Sequence, residues 1–185
     1  MPDADAAPSS SGLHRVLAEI QRRGAIGRGS VDDAVEHSLQ YVAALPTDPG
    51  TLVDLGSGGG LPGLVIAVFA PAWRVHLIER RAKRADLLRY AVQALGLGER
   101  VVVHESDAHA VASSGVVRAD VVTARSFAPP LDTVAVARAF LSVGGVVVIS
   151  DPPDGEPRWL SADLDRLGVV DEGRVGGVRR FVFLR

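Results

Sequence analysis

The sequence predicts an α/β domain built on a mostly parallel sheet with helices on both faces, and three observations predict it. Short apolar runs of strand length alternate with amphipathic runs of helix length between residues 51 and 150, the pattern of repeated βαβ units. The first apolar run, Thr51–Leu55, breaks directly into Gly56-Ser57-Gly58-Gly59-Gly60 and then Leu61-Pro62-Gly63, a strand–glycine turn–helix unit of the kind that holds a nucleoside cofactor at the first crossover. The last two apolar runs are separated only by turn glycines, Gly173 and Gly176-Gly177, which suits an antiparallel edge on a parallel sheet.

Two helices come before the sheet. Leu13 to Arg23 places Leu13, Val16, Leu17 and Ile20 three and four residues apart and stops at Gly24. A second helix, about Asp32 to Leu45, follows the capping candidate Ser30 and carries Val35, Leu39 and Val42 on one face, with Gly27-Arg28-Gly29 as the intervening loop. Strand one is Thr51–Leu55, and its helix Leu61–Ala70 stops at Pro71, with Pro62 suited to the first turn. Strand two, Arg74–Glu79, feeds a helix of about Ala82–Leu95 that turns Leu87, Leu88, Ala91, Val92 and Leu95 inward. Strand three is Arg100–His104 and strand four Ala119–Ala124, after which the helix Leu131–Leu141 leads through Gly144-Gly145 to strand five, Val146–Ser150. A helix near Trp159–Leu167, a strand near Val169–Asp171 and the strand Arg179–Leu184 complete seven strands. The reading divides the chain into a disordered tail over 1–12, N-terminal helices over 13–46 and a cofactor domain over 47–185.

Composition narrows the chemistry. A chain of 185 residues with 47% hydrophobic residues is one globular domain. A formal net charge of −2 argues against a uniformly basic nucleic-acid coat, although local patches stay open. The absence of cysteine excludes disulfides, thiolate metal sites and cysteine nucleophiles. No apolar run reaches the roughly 18 residues that a membrane helix needs, and the small, acidic N-terminus is not a signal peptide. A soluble cytoplasmic protein is expected.

Three ligands compete for the glycine turn. A phosphate-binding loop would need Gly-Lys-Ser/Thr, and the one lysine, Lys83, lies well past it. A dinucleotide site matches Gly-x-Gly-x-x-Gly literally at Gly58 to Gly63, but the strand runs into Gly56, and a pyrophosphate would meet the negative charge of Asp54. S-adenosylmethionine has no phosphate and carries an ammonium and a sulfonium, so an acid beside the glycines suits it. Glu79 at the end of strand two can accept both ribose hydroxyls, and Asp107 after strand three can meet the adenine edge. Taken singly, each of these three acids could equally be a helix cap or a solvated loop residue.

From about Ala34 to Ala128 the chain resembles the bacterial small-subunit rRNA guanine-N7 methyltransferases, the RsmG or GidB family. Its acid–Gly–Ser/Thr–Gly–x–Gly–Leu–Pro–Gly motif stands here as Asp54 to Gly63, and its acid followed by a basic amphipathic helix as Glu79-Arg80-Arg81-Ala82-Lys83-Arg84. Its Ser-Arg-Ala-Phe-Ala stands as Ala124-Arg125-Ser126-Phe127-Ala128, its upstream histidine helix as Glu36-His37-Ser38-Leu39, and its closing strand as Arg179 to Arg185. The resemblance implies a Rossmann-like class I methyltransferase fold with S-adenosylmethionine held by Asp54, Gly56, Ser57, Gly58, Gly60, Leu61, Glu79, Asp107, Ala108 and Arg125. It also implies that Arg125, with Ser126 as a hydrogen-bond donor, sits between cofactor and target base, that His37, Lys83 and Arg84 approach the acceptor, and that rRNA or the small ribosomal subunit is the partner.

Guanine N7 presents an unprotonated lone pair, so methyl transfer to it needs positioning and no general base; the chain offers no obvious base–nucleophile pair. Arg125 provides five fixed donors and keeps its charge, although a structural ion pair is its simpler role. Arg80, Arg81, Lys83, Arg84 and Arg89 form the one local basic run, either a phosphate contact or a solvated helix face. His76 is expected to be structural, His104 and His109 match no metal motif, and no metal is expected. Asp151-Pro152-Pro153 reads as a loop. Two other functions stay open: a methyltransferase acting on a small molecule or protein, and a cofactor-binding module without catalysis.

Overall fold

The computed structural model describes residues 9–151 and 159–184. Helices α1 (Ser10–Arg22) and α2 (Val31–Ala43) precede alternating β1 (Thr51–Leu55), α3 (Gly63–Phe69), β2 (Arg74–Ile78), α4 (Ala82–Ala94), β3 (Val101–His104), α5 (Ala108–Ser114), β4 (Ala119–Ala124), α6 (Pro130–Arg138) and β5 (Leu141–Ser150). Helix α7 (Ser161–Leu167) and the hairpin β6 (Val169–Val175)–β7 (Val178–Phe183) close the fold.

The strands form one seven-stranded sheet in the order β3-β2-β1-β4-β5-β7-β6. β1 pairs in parallel with β2 and β4, and the order reverses at β1, which makes the C-terminal ends of β1 and β4 the topological switch point. β7 runs antiparallel between β5 and β6. Strand periodicity sorts the core into two layers. Leu52, Val75, Leu77, Val101, Val121, Val146 and Val148 face α1–α4; Val53, Leu55, Ile78, Val122, Ala124, Val147 and Ile149 face the opposite side, with α5–α7 residues. Both faces of β1 are sealed, so its run reads as continuously apolar except at Asp54.

Several boundaries differ from the sequence expectation. Residues 10–12, expected in a disordered tail, are the first turn of α1, because the Ser9 hydroxyl caps the Gly12 N–H at 3.1 Å and Leu13, Val16, Leu17 and Ile20 bury against the sheet layer. Residues 1–8 lie outside the described residues. Helix α3 begins at Gly63, with Pro62 at its cap position and Leu61 still in the turn. Helix α5 was not anticipated; Asp107 caps it through the His109 N–H at 2.9 Å and Gly115 ends it in the left-handed conformation. Strand β5 starts at Leu141, five residues early: Leu141 pairs with Ala119 and the register shifts before Val146, so Gly144-Gly145 interrupts a strand instead of separating it from a helix.

Candidate active site

The glycine turn is clamped to the end of β2. The Ser57 N–H donates to the Ile78 carbonyl at 2.9 Å, and the Gly60 N–H donates to the Ser57 carbonyl at 2.7 Å. Glu79 completes the clamp: Oε2 accepts the Gly58 N–H at 3.0 Å and Oε1 accepts the Arg81 N–H at 2.8 Å. This carboxylate is 5% exposed, yet each oxygen has one protein partner and keeps lone pairs for another. Above it opens a cavity of about 660 Å³ lined by Gly56, Glu79, Asp107, Ala108, Ser126 and Phe127, with Arg80, Arg81 and Arg84 on its basic side. That volume lies within the roughly 300–1,000 Å³ of small-molecule sites. Gly56 has φ +62, and a Cβ there would lie 2.8 Å from Cδ2 of Phe127; glycine lets the Phe127 ring close over the turn.

The structure separates the expected ligands into two groups. Gly56, Glu79, Asp107, Ala108, Ser126 and Arg84 line the large cavity. Asp54, Ser57, Gly58, Gly60, Leu61, Lys83, His37 and Arg125 do not. Gly58 acts through its N–H on Glu79, and Ser57 is buried, donating its hydroxyl to the Asp54 carbonyl at 2.9 Å. Gly60 packs against Leu64, and Leu61 joins the α1–α4 core layer. Lys83 is exposed, while Arg89 of the same basic run pairs with Asp86 at 2.8 Å and Glu105 at 2.9 Å.

Asp54 is the main correction. It was expected to meet the cofactor at the strand tip; instead it is 0% exposed beneath the turn. Its Oδ1 accepts the Thr123 hydroxyl at 2.8 Å, and its Oδ2 has no hydrogen-bond partner among the described residues. Burial pushes its pKa up from 3.8 to about 6, the Thr123 hydrogen bond offsetting only part. Gly63 is held against it, since a Cβ at Gly63 would lie 2.8 Å from Oδ2. The acid therefore acts from below, through the turn it supports.

Packing requires glycine at position 59. A Cβ there would fall 2.3 Å from Cγ1 of Ile26 and 2.9 Å from the Ala25 carbonyl oxygen, so the loop after α1 sits directly on the glycine turn. Gly59→Ala is expected to lower stability by about 1–3 kcal/mol through this overpacking, read as a drop in the urea midpoint; an unchanged midpoint would refute the contact.

On the α2 face lies a polar cluster that the sequence did not reveal. Tyr41 is 0% exposed; its hydroxyl donates to the Ala124 carbonyl at 3.0 Å and lies 2.7 Å from the Ser150 Oγ. Burial raises the Tyr41 pKa, keeping the phenol protonated. The His37 ring meets it edge-on at 5.7 Å, and burial, then the charge of Arg125, lowers the His37 pKa. Arg125 itself is half-buried with Nη1 unpartnered among the described residues. The next residue, Ser126, takes the left-handed φ of +54, which a non-glycine residue adopts at a cost of order 1–3 kcal/mol. Ser126, Phe127 and Ala128 form the partition between the large cavity and a second one of about 230 Å³, lined further by Ala124, Pro130, Thr133, Ile149 and Ser150. A helical tyrosine spaced four from His37 was the available signal, but it reads as ordinary core.

Two histidines and one acid outside these clusters are tied into the fold. His76 Nδ1 and His104 Nε2 share a hydrogen bond at 2.9 Å across β2 and β3. Asp151, the first residue of the expected loop, is buried and paired with Arg179 at 2.7 Å; residues 152–154 of that loop lie outside the described residues. Among the described residues no three His, Asp or Glu side chains form a metal-holding group, and no helix is long and apolar enough to cross a membrane.

A sheet of this strand order, with its glycine turn under a cavity at the switch point, defines the class I methyltransferase fold. It is shared, at 17% identity, by an O-methyltransferase family protein from Burkholderia thailandensis (TM-score 0.61, covering 83% of this chain and 57% of that one). A mutant MtNAS in complex with S-adenosylmethionine shares it at 13% identity (TM-score 0.60, covering 93% and 73%). The family model described as rRNA small subunit methyltransferase G matches residues 30–151, and the chain belongs to that GidB family. Relatives named ribosomal RNA small subunit methyltransferase G include those of Rhizorhabdus wittichii, 34% identical over 62% of this chain and 54% of the relative, and Rubrobacter xylanophilus, 39% identical over 61% and 46%. That of Stenotrophomonas maltophilia is 38% identical over 79% of this chain and 69% of the relative. The chain thus spans about half the length of the first two relatives.

Proposed function

We propose that the protein transfers a methyl group from S-adenosylmethionine to guanine N7 of small-subunit rRNA. The observation that carries the cofactor assignment is Glu79: a buried carboxylate on the cavity floor, with one backbone N–H on each oxygen, retains acceptor capacity for two vicinal hydroxyls. Asp107 and Ala108 line the same cavity further along the strand ends, where they would flank an adenine. Family membership and the relatives' names support the RNA acceptor, and Arg80, Arg81 and Arg84 beside the cavity supply cations for phosphates.

The cofactor supplies an electrophilic methyl group on a sulfonium. The residues of the chain position the acceptor and exclude water. An acceptor with an unprotonated lone pair would need no general base, so the residues of the chain would have only to hold it in line with the methyl group. With the cofactor assigned to the large cavity, the acceptor base is assigned to the smaller one across Ser126–Ala128, which line both. Incubation with methyl-labelled S-adenosylmethionine and small subunits lacking the modification tests the proposal. Label at N7 of an rRNA guanine is expected; label confined to protein or small metabolites would overturn the RNA assignment.

Arg125 lines neither cavity in the free protein; its half-buried guanidinium, with Nη1 unpartnered among the described residues, is assigned to reach the acceptor when RNA binds. Arg125→Ala is expected to reduce transfer by on the order of 10²-fold. The unfolding midpoint should move little, because the change also removes a buried, unpartnered N–H donor. Turnover at the wild-type rate would remove Arg125 from the mechanism.

A further inference from the structure

Tyr41 lies on α2, outside both cavities, yet its hydroxyl touches the two points that shape them. One is the Ala124 carbonyl, 3.0 Å away, at the stem of the turn that carries Arg125, Ser126 and Phe127. The other is Ser150 at the end of β5, 2.7 Å away; Ala124 and Ser150 both line the smaller cavity. A phenol has one hydrogen. It is directed to the Ala124 carbonyl, so the Ser150 hydroxyl donates to the phenol oxygen. The result is a one-way chain, Ser150 to Tyr41 to Ala124, that joins the ends of β4 and β5.

This chain has something to hold. The turn beyond Ala124 contains Ser126 at φ +54, an unfavourable conformation that persists only where the surroundings impose it. Ser126 and Phe127 form the partition between the cavities, and Phe127 rests on Gly56. A shift of the Ala124 carbonyl would move the partition and with it the distance between a group in the large cavity and one in the small cavity.

We propose that Tyr41 is a positioning residue: its hydroxyl, held by Ser150, locks the Ser126–Ala128 partition in the geometry that aligns acceptor with methyl donor. The inference rests on the methyltransferase reading above, and it predicts a loss in kcat more than in ligand affinity, because misplacement by about 1 Å can cost on the order of 10²-fold in rate.

Tyr41→Phe keeps the ring in the core and removes only the hydroxyl; Ser150→Ala removes the other end of the chain. Each is expected to lower kcat on small subunits by at least about 10-fold while the Kd for S-adenosylmethionine stays within about threefold; in Tyr41→Phe, whose side chain lines neither cavity, the KM for the particle stays within about threefold as well. The double variant is expected to be no slower than the slower single one, as for groups acting as one unit. Amide resonances of Arg125–Phe127 provide a readout that needs no acceptor: they should shift or broaden in Tyr41→Phe while those of β1 and β2 stay in place. Wild-type kcat in Tyr41→Phe, losses that multiply in the double variant, or unchanged Arg125–Phe127 resonances would each overturn the inference. If the wild type itself transfers nothing to rRNA, the RNA reading has failed, and the resonances alone decide the role of Tyr41.

Discussion

Glu79→Ala is expected to weaken S-adenosylmethionine binding by about 10²- to 10⁴-fold in calorimetry. Hydrogen bonds to a charged group contribute roughly 1.5–3 kcal/mol each, and in the proposed site Glu79 would accept two from the ribose. The carboxylate is 5% exposed, so these bonds form away from competing water. The same substitution strips acceptors from the Gly58 and Arg81 N–H groups, which loosens the glycine turn as well. The two effects separate experimentally, because loosening the turn lowers the unfolding midpoint of the free protein, whereas the lost ribose contacts appear only in binding. Affinity within threefold of wild type would exclude Glu79 from the cofactor site.

The second large effect is on pH dependence. Asp54 is fully buried with its pKa raised from 3.8 to about 6. Between those values the folded state binds the proton and the unfolded state does not, so the contribution of Asp54 to stability falls as pH rises from about 4 to 6. Above pH 6 the full penalty of a buried charge is present, on the order of 2–3 kcal/mol; below pH 4 it is gone. Asp54→Asn removes this titration. Denaturant unfolding of both proteins at pH 4.5 and pH 7.5 should show the variant gaining stability relative to wild type at the higher pH. A constant difference between them at the two pH values would refute a raised Asp54 pKa.

The order of elements was legible because apolar periodicity survives burial: a strand sealed on both faces reads as an unbroken run, and a helix packed on one face reads as spacings of three and four. Where glycine or small residues dominate, that signal fades. Helix α5, seven residues long with Val111 its one large apolar side chain, was announced only by its caps, Asp107 and Gly115. The early half of β5 was hidden by Gly144-Gly145, which read as a turn although the strand continues through a register shift.

Sequence by itself determined the sheet, the glycine turn and the residue types beneath the large cavity, since local spacing and chemistry specify these. Only the tertiary structure decided which of them face the cavity. Asp54 and Glu79 are both acids at strand ends in sequence; pairing in the sheet buries one beneath Gly63 and brings the other to the cavity floor. Nor does any local pattern join Tyr41 to Ala124 and Ser150, because the contact links α2 to the ends of two distant strands. Side chains far apart along the chain meet through topology, and their hydrogen bonds exist only once the sheet has formed.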